Sequence, residues 1–205
     1  MLSALSINCT LKRADKLAQS STARLLGEIR EEWKKLGVTT CDIHAADLHL
    51  LPGVSSDEGE GDEWPGVRRQ IIQADIVVIG TPIWLGQPSS VCKRVLERMD
   101  AFISEADPHT GHMPAYGKVA GVAAVGNEDG AHHVCAELFQ ALVDVGFTVP
   151  ASASTYWVGE AMGSTNYIDL GPTPQKVAGT TRTLARLTAH LAGLLKASPY
   201  PSIKN

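Results

Sequence analysis

A run of four β-branched residues, Ile76-Val77-Val78-Ile79, constrains the fold of this 205-residue chain more than any other feature. A segment that is apolar at every position predicts a strand buried on both faces of a sheet. Such strands occur in parallel sheets that helices cover on both sides. The run ends abruptly at Gly80-Thr81-Pro82, and a helical pattern begins near Ser89. The sequence therefore predicts a parallel α/β protein built around this strand.

The rest of the chain alternates between strand and helix patterns. Further strands are expected at residues 2–7, 38–44 and 119–125, and residues 148–149 with 154–158 could together supply a fifth. Helical patterns separate them, the last at about 174–196. The loop after the first strand lacks the G-x-G-x-x-G pattern of a Rossmann dinucleotide site. We therefore expect a flavodoxin-like three-layer α/β/α sandwich, with a five-stranded parallel sheet of order 2-1-3-4-5, as a single domain over residues 1–205.

Charge and cysteine usage exclude several classes of function. A net charge of -4 gives no basic surface for nucleic acid, and no apolar run approaches the roughly 20 residues that membrane insertion requires. The first eight residues lack the positive region of a signal peptide. The four cysteines are scattered, which favours free thiols in the cytoplasm and no metal site.

The loop after the first strand is rich in hydroxyl and basic side chains. It contains Asn8, Thr10 and Lys12, and Ser20-Ser21-Thr22 stand at the start of the first strong helical pattern. A helix amino terminus presents unpaired N–H groups and a partial positive charge, which favour a bound phosphate. Simple helix capping is the alternative, but capping needs only one hydroxyl. Three in a row favour a site for a phosphomonoester, such as the end of a mononucleotide.

The loop after residues 76–79 combines an aromatic side chain with hydrogen-bonding groups. Its residues are Thr81, Pro82, Ile83, Trp84, Leu85 and Gly86. Ligands of open parallel sheets bind at the carboxyl ends of the strands. A flat apolar side chain beside free backbone amides suits a planar, hydrogen-bonding ring system such as an isoalloxazine. The alternative is an ordinary strand–helix turn with Trp84 in the core.

The loop after residues 119–125 brackets three polar residues with two glycines. Its residues are Gly126, Asn127, Glu128, Asp129 and Gly130, and His132 follows. We interpret the loop as a backbone platform over the far edge of a flavin ring, with His132 near the reacting face. A turn with a helix cap is the alternative for the loop, and a solvated first helical turn is the alternative for His132.

Together these loops resemble those of the flavodoxin-like NAD(P)H-dependent FMN reductase and quinone oxidoreductase superfamily. The resemblance covers roughly residues 3 to 158, and Thr81-Pro82-Ile83-Trp84 with the helix that follows is its most specific part. It implies that the first loop holds the FMN phosphate, the second runs along the isoalloxazine, and the third completes the ring site. Two departures stand out. The first loop lacks the Gly-Ser-x-Arg pattern common among these reductases, and Trp84 stands where many relatives have tyrosine.

The resemblance implies an FMN-dependent oxidoreductase. It would pass two electrons from NAD(P)H, a transient co-substrate, to a quinone, a flavin or a similar small acceptor. Because the flavin supplies the chemistry, no side chain is required as an acid or base, and His132 is the one candidate catalytic residue. Two alternatives stay open: a flavodoxin-type electron carrier without its own NAD(P)H reductase activity, and a flavin-free interaction protein on the same fold.

Self-association as a homodimer or homotetramer is also expected. The loops at 53–62 and 104–117 are long, and the segment 155–170 carries Tyr156, Trp157, Met162 and Tyr167 outside any clear helix. Aromatic residues and methionine are enriched in interface cores. The resemblance points the same way, since these reductases commonly pair around the flavin. The alternative is that Tyr156 and Trp157 pack beneath the fifth strand.

Overall fold

The structure is a computed structural model that describes residues 1–204. Its strands are β1 (Ser3–Asn8), β2 (Thr39–His44), β3 (Ile76–Trp84), β4 (Gln87–Pro88), β5 (Val119–Val125) and β6 (Ser154–Trp157). Five of them form a parallel sheet in the order β2-β1-β3-β5-β6. The two-residue β4 pairs antiparallel with the end of β3.

Helices cover both faces of this sheet. They are α1 (Ser21–Lys35), α2 (Trp64–Gln73), α3 (Ser90–Met99), α4 (Ala101–Ser104), α5 (Ala131–Asp144) and α6 (Gln175–Ala197), and short 3-10 turns occupy Ala14–Gln19, Ala45–Asp47 and Tyr167–Asp169. Ile76 and Val78 belong to the core beneath α1 and α6, whereas Val77 and Ile79 belong to the core beneath α2, α3 and α5. The central strand is therefore buried on both faces, as its composition predicts.

The predicted flavodoxin-like sandwich is confirmed, and the parallel sheet has the predicted order once β4 is left out of the count. The sequence analysis did not anticipate β4. A two-residue turn at Leu85 and Gly86 joins β3 to β4, with φ of +53° and +73°. Leu-Gly is not the Asn-Gly signature of such turns, and proline is rare within strands. The hairpin therefore carries no recognisable sequence signal.

The long loop at residues 53–62 ends in a buried ion pair. The Asp62 carboxylate accepts a hydrogen bond from Nη2 of Arg98 at 2.7 Å, and both side chains are fully buried. Arg98 also donates to the carbonyl groups of Leu51 and Ser55. Because a buried charge is stable only when it is paired and hydrogen-bonded, this ion pair anchors the loop to α3.

Among residues 1–204, none of the helices combines the length and the apolar character that crossing a bilayer would demand. The four cysteines are all free thiols.

Candidate functional site

A cavity of about 220 Å³ opens at the carboxyl ends of β1, β3, β5 and β6. This is the point where the chain direction across the sheet reverses, because β1 lies between β2 and β3. Open α/β sheets bind their ligands at such switch points. The lining residues are Thr10, Leu11, Lys12, Ser21, Thr22, Pro82, Ile83, Trp84, Val125, Gly126, Asn127, Trp157, Asn166 and Tyr167.

All three loops singled out in the sequence contribute to this cavity. Nine of the eighteen candidate residues line it: Thr10, Lys12, Ser21, Thr22, Pro82, Ile83, Trp84, Gly126 and Asn127. A larger depression, of about 440 Å³, lies between α1 and the start of α6. That depression is lined by charged side chains such as Glu28, Glu31 and Lys35, away from the strand ends. The chemistry of the three loops therefore converges on the smaller cavity.

In the first loop, Asn8 acts on the backbone instead of facing the cavity. Its Oδ1 accepts a hydrogen bond from the N–H of Thr10 at 3.0 Å, and Thr10 Oγ1 accepts one from the N–H of Lys12 at 3.4 Å. Asn8 and Thr10 are both buried. This pair of bonds turns the chain at the end of β1 and brings Thr10 and Lys12 to the cavity.

The three hydroxyls at the start of α1 have three different positions. Ser20 is the helix cap, because its Oγ accepts a hydrogen bond from the N–H of Ala23 at 3.2 Å. Ser21 Oγ accepts a bond from the N–H of Ile168 at 3.1 Å and so ties α1 to the segment after β6. Thr22 is buried and lines the cavity. Ser20 is therefore a helix cap, as the alternative interpretation predicts, whereas Ser21 and Thr22 line the cavity.

In the second loop, Thr81 is a structural residue and Trp84 is a surface residue. Thr81 Oγ1 donates to the carbonyl of Pro82 at 2.9 Å and accepts from the N–H of Ser89 at 3.0 Å, in a fully buried position. Trp84 is 56% exposed at the cavity, so it is not a core residue. Leu85, at the hairpin tip, does not line the cavity and is 92% exposed.

The third loop touches the second. Glu128 Oε1 accepts a hydrogen bond from the N–H of Gly86 at 3.2 Å. A Cβ on Gly126 would lie 2.9 Å from Cβ of Ile83, so the two loops also meet at the base of the cavity. Glu128, Asp129 and Gly130 lie outside the cavity, and only Gly126 and Asn127 of this loop line it.

His132 lies outside the cavity as well. Its Nε2 is 2.9 Å from the hydroxyl of Tyr156, and both side chains line a separate depression of about 260 Å³ with Asp129 and His133. Successive side chains of a strand point to opposite faces, and Trp157, the residue after Tyr156, lines the cavity. The structure therefore places His132 on the other side of β6 from the cavity.

Five lining residues are not among the predicted site residues: Leu11, Val125, Trp157, Asn166 and Tyr167. Two of them, Trp157 and Tyr167, belong to the segment 155–170, whose aromatic residues suggest an interface between subunits. Tyr167 is fully buried in its own chain, where its hydroxyl donates to Glu28 at 2.5 Å and the Arg24 guanidinium lies 4.7 Å from its ring centre. Its burial explains the aromatic character of the segment without a second subunit.

The cavity offers few groups for proton transfer. Among the described residues, Lys12 and Tyr167 are the only ionisable side chains that line it. Burial, followed by the hydrogen bond to Glu28, raises the pKa of Tyr167 above its ordinary value, so the phenol stays protonated. Within residues 1–204, no group of three or more histidine, cysteine, aspartate or glutamate side chains could hold a metal ion.

Comparison with known proteins identifies relatives whose names refer to flavins. The chain is 34% identical to 8-demethyl-8-aminoriboflavin-5'-phosphate synthase of Streptomyces davaonensis, over 97% of this chain and 80% of that protein. It is also similar to the crystal structure of RosB with bound 8-demethyl-8-formylriboflavin-5'-phosphate, with a TM-score of 0.82 and 32% identity, over 98% of this chain and 82% of that one.

A further relative is much longer than this chain. The chain is 36% identical to the divalent metal cation transporter MntH of Mycobacterium bovis, over 96% of this chain but only 29% of that protein. The family model for NADPH-dependent FMN reductases matches residues 4–162, which include all three loops of the cavity. The chain therefore belongs to the NADPH-dependent FMN reductase family.

Proposed function

We propose that this chain is an FMN-dependent oxidoreductase that passes two electrons from NAD(P)H to a small planar acceptor such as a quinone or a flavin. One observation carries the proposal: the cavity combines a hydroxyl-rich helix start, an apolar wall and a backbone platform, and Lys12 and Tyr167 are the only ionisable side chains among the lining residues in 1–204. Such a site can hold a flavin and keep it in place. It offers little for acid–base chemistry on a substrate.

The residues of the cavity fit FMN, the cofactor of the family. The N–H groups of Ser21 and Thr22 belong to the first turn of α1, where a helix supplies no carbonyl partner for them. With the Thr22 hydroxyl and the Lys12 ammonium, they form a donor set suited to a phosphate dianion. Pro82, Ile83 and Trp84 would line one side of the ring, and Gly126 and Asn127 would present backbone groups to its edge.

When bound, FMN supplies the two-electron chemistry. The chain's own residues bind and orient it. Ile83 is buried against Gly126 and fixes the base of the cavity, while exposed Trp84 borders its mouth. With no carboxylate or imidazole among the described lining residues, a proton for the acceptor would come from solvent at this open side.

A second candidate function follows from the relative named as a synthase of an 8-modified flavin and from the similar structure solved with an 8-modified flavin intermediate bound. In that case riboflavin 5'-phosphate would be the substrate, and its 8-position would be altered. The identity of 34% over 97% of this chain supports this candidate. The scarcity of ionisable side chains in the cavity favours the reductase.

The mass of the flavin after turnover separates the two functions. The protein is loaded with FMN and divided into two reactions, one with excess NADPH and a quinone, the other with oxygen and a mixture of amino acids as nitrogen donors. The flavin of each is then released by heat and analysed by mass spectrometry. A reductase returns unaltered FMN with stoichiometric NADPH oxidation. A flavin of changed mass would establish the flavin as substrate. Unaltered FMN without NADPH oxidation would indicate an electron carrier.

We also propose that the chain forms one FMN-binding unit that pairs into a homodimer or homotetramer in a reducing, cytoplasmic compartment. Trp84, Leu85 and Met162 are large apolar side chains left exposed, the last at 85%. The free state of all four thiols supports a reducing compartment. Light scattering at micromolar concentration tests the pairing, since a mass near 21.8 kDa would contradict it.

A further inference from the structure

The first loop of the cavity has almost no hydrophobic anchor. Between Cys9 and Ser20 no residue except Thr10 is buried, and the 3-10 turn Ala14–Gln19 contains no buried residue. A loop with so few buried side chains depends mainly on hydrogen bonds for a fixed conformation. The position of Lys12 at the cavity therefore depends on the groups that bond to the loop.

Two of these groups come from the carboxyl end of β2. His44 Nε2 donates to the carbonyl of Lys12 at 2.6 Å, since a carbonyl oxygen can only accept. Asp47 Oδ1 accepts a hydrogen bond from the N–H of Ala14 at 3.1 Å and lies 3.6 Å from Nε of Arg13. We call His44 and Asp47 the β2 clamp. It holds three consecutive residues of the loop, Lys12 to Ala14.

An imidazole at position 44 is costly for the fold. The side chain is only 12% exposed, and its Nδ1 is buried without a hydrogen-bond partner among the described residues. A buried polar atom without a partner costs free energy that an apolar side chain would avoid. The imidazole makes one short hydrogen bond, to the carbonyl of Lys12.

We propose that His44 is a positioning residue for phosphate recognition, acting through the backbone of Lys12. This inference rests on the proposed function, since it requires that Lys12 and the start of α1 hold the phosphate of FMN. By fixing the Lys12 carbonyl, His44 directs the loop so that Lys12 lines the cavity. It contributes to the preference for FMN over riboflavin, which has the same ring and lacks the phosphate.

Binding of both flavins to the flavin-free protein tests this inference by fluorescence titration. His44→Phe keeps a ring of similar shape and removes the donor. His44→Gln keeps a donor that can reach the Lys12 carbonyl. His49→Phe is the matched control, because His49 also follows β2 and bonds a loop carbonyl, that of Gly61 at 2.9 Å, away from the cavity.

We expect His44→Phe to raise the dissociation constant of FMN by about three- to tenfold, the effect of one hydrogen bond, and to leave that of riboflavin within about twofold. His44→Gln should recover much of the FMN affinity, and His49→Phe should change neither constant. Equal weakening of both flavins, or no change for FMN, would overturn the inference. If His44→Phe does not fold, His44→Ala carries the test, because it also removes the donor: a loss of FMN affinity no greater than its loss of riboflavin affinity would overturn the inference.

The wild-type protein separates this inference from the function on which it rests. If the wild-type protein binds riboflavin as tightly as FMN, the proposed phosphate site is wrong, and so is the proposed role of His44. If the wild type prefers FMN and His44→Phe prefers FMN over riboflavin to the same degree, only the proposed role of His44 is wrong. Failure to oxidise NADPH with intact FMN preference would count against the reductase and leave His44 as a positioning residue.

Discussion

Gly130 packs against Gly86 so closely that a Cβ on Gly130 would stand 2.8 Å from the Cα of Gly86. Gly130 begins α5 with φ of +104°, and Gly86 lies at the tip of the β3–β4 hairpin with φ of +73°. This contact and the hydrogen bond from Gly86 to Glu128 join the second and third loops of the cavity. The relative position of the two loops therefore depends on the absence of a side chain at residue 130.

Gly130→Ala should separate these loops, because a backbone atom cannot yield as a flexible side chain can. Gly59→Ala is the matched control: φ at Gly59 is +102°, and nothing lies within 4 Å of a Cβ built there. Both substitutions force alanine into a positive-φ backbone conformation, which lowers the free energy of unfolding, and only Gly130→Ala adds a steric clash. We expect it to lose about 1–3 kcal/mol more in the free energy of unfolding than the control. Urea titration of the flavin-free protein measures the difference, and equal losses would contradict the contact.

The Asp62–Arg98 pair should make the protein sensitive to acid. Burial alone would raise the pKa of Asp62, but the hydrogen bonds from Arg98 and from the N–H groups of Glu58, Trp64 and Leu51 hold it well below its ordinary value. A carboxylate whose pKa is lower in the folded state than in the unfolded state stabilises the protein. This stabilisation is complete above the unfolded-state pKa of about 3.9 and is lost as the pH falls below that value. We therefore expect the free energy of unfolding to fall steeply below about pH 4.

Asp62→Asn tests this prediction. The substitution leaves Arg98 buried without its counter-charge, so stability at pH 7 should fall by about 3–5 kcal/mol. The decline in acid should become shallower, since the variant lacks one carboxylate that takes up a proton on unfolding. Glu60→Gln, an exposed residue of the same loop, is the control and should resemble the wild type. Identical acid profiles for wild type and Asp62→Asn would show that the pair does not control them.

Removing the hydroxyl of Ser20 should lower stability, whereas removing that of Thr22 should weaken flavin binding. Ser20→Ala removes the cap of α1 and should cost about 1 kcal/mol of stability. Thr22→Val keeps the shape of the side chain, and its loss of one bond to a charged phosphate, about 1.5–3 kcal/mol, should weaken FMN binding about 10- to 100-fold. Chemical unfolding and flavin titration measure the two effects. A Thr22→Val variant with wild-type affinity would remove Thr22 from the phosphate site.

The fold was predictable because its signals are local. Ile76 to Ile79 are apolar throughout, and the missing glycines of the first loop separate the two common strand orders. The positions of the site residues were less predictable, because they depend on contacts between distant segments. Nothing in the sequence distinguishes the capping hydroxyl of Ser20 from that of Thr22. Tyr167 and Asn166 reach the cavity because Arg24 and Glu28 hold their segment against α1, over more than a hundred residues of chain separation.

Trp84 should contribute to flavin binding but little to folding, because more than half of its side chain is exposed at the mouth of the cavity. Trp84→Ala should leave the free energy of unfolding of the flavin-free protein within about 0.5 kcal/mol of wild type. The bound flavin should fluoresce more strongly, since stacking on an indole quenches it. Leu85→Ala is the control, as Leu85 is exposed beside Trp84 but does not line the cavity. If flavin fluorescence and affinity are unchanged in Trp84→Ala, the isoalloxazine ring does not contact Trp84.

Anaerobic reduction of the FMN-loaded protein by NADPH tests whether the chain is an NAD(P)H-dependent reductase. The visible absorbance band of the bound flavin is followed while NADPH is added, and a quinone is then added in slight excess. We expect the band to bleach with about one equivalent of NADPH, because the cofactor takes up two electrons, and the quinone to restore it. A band that stays unbleached by both NADPH and NADH, in a protein that retains FMN, would show that the chain is not such a reductase.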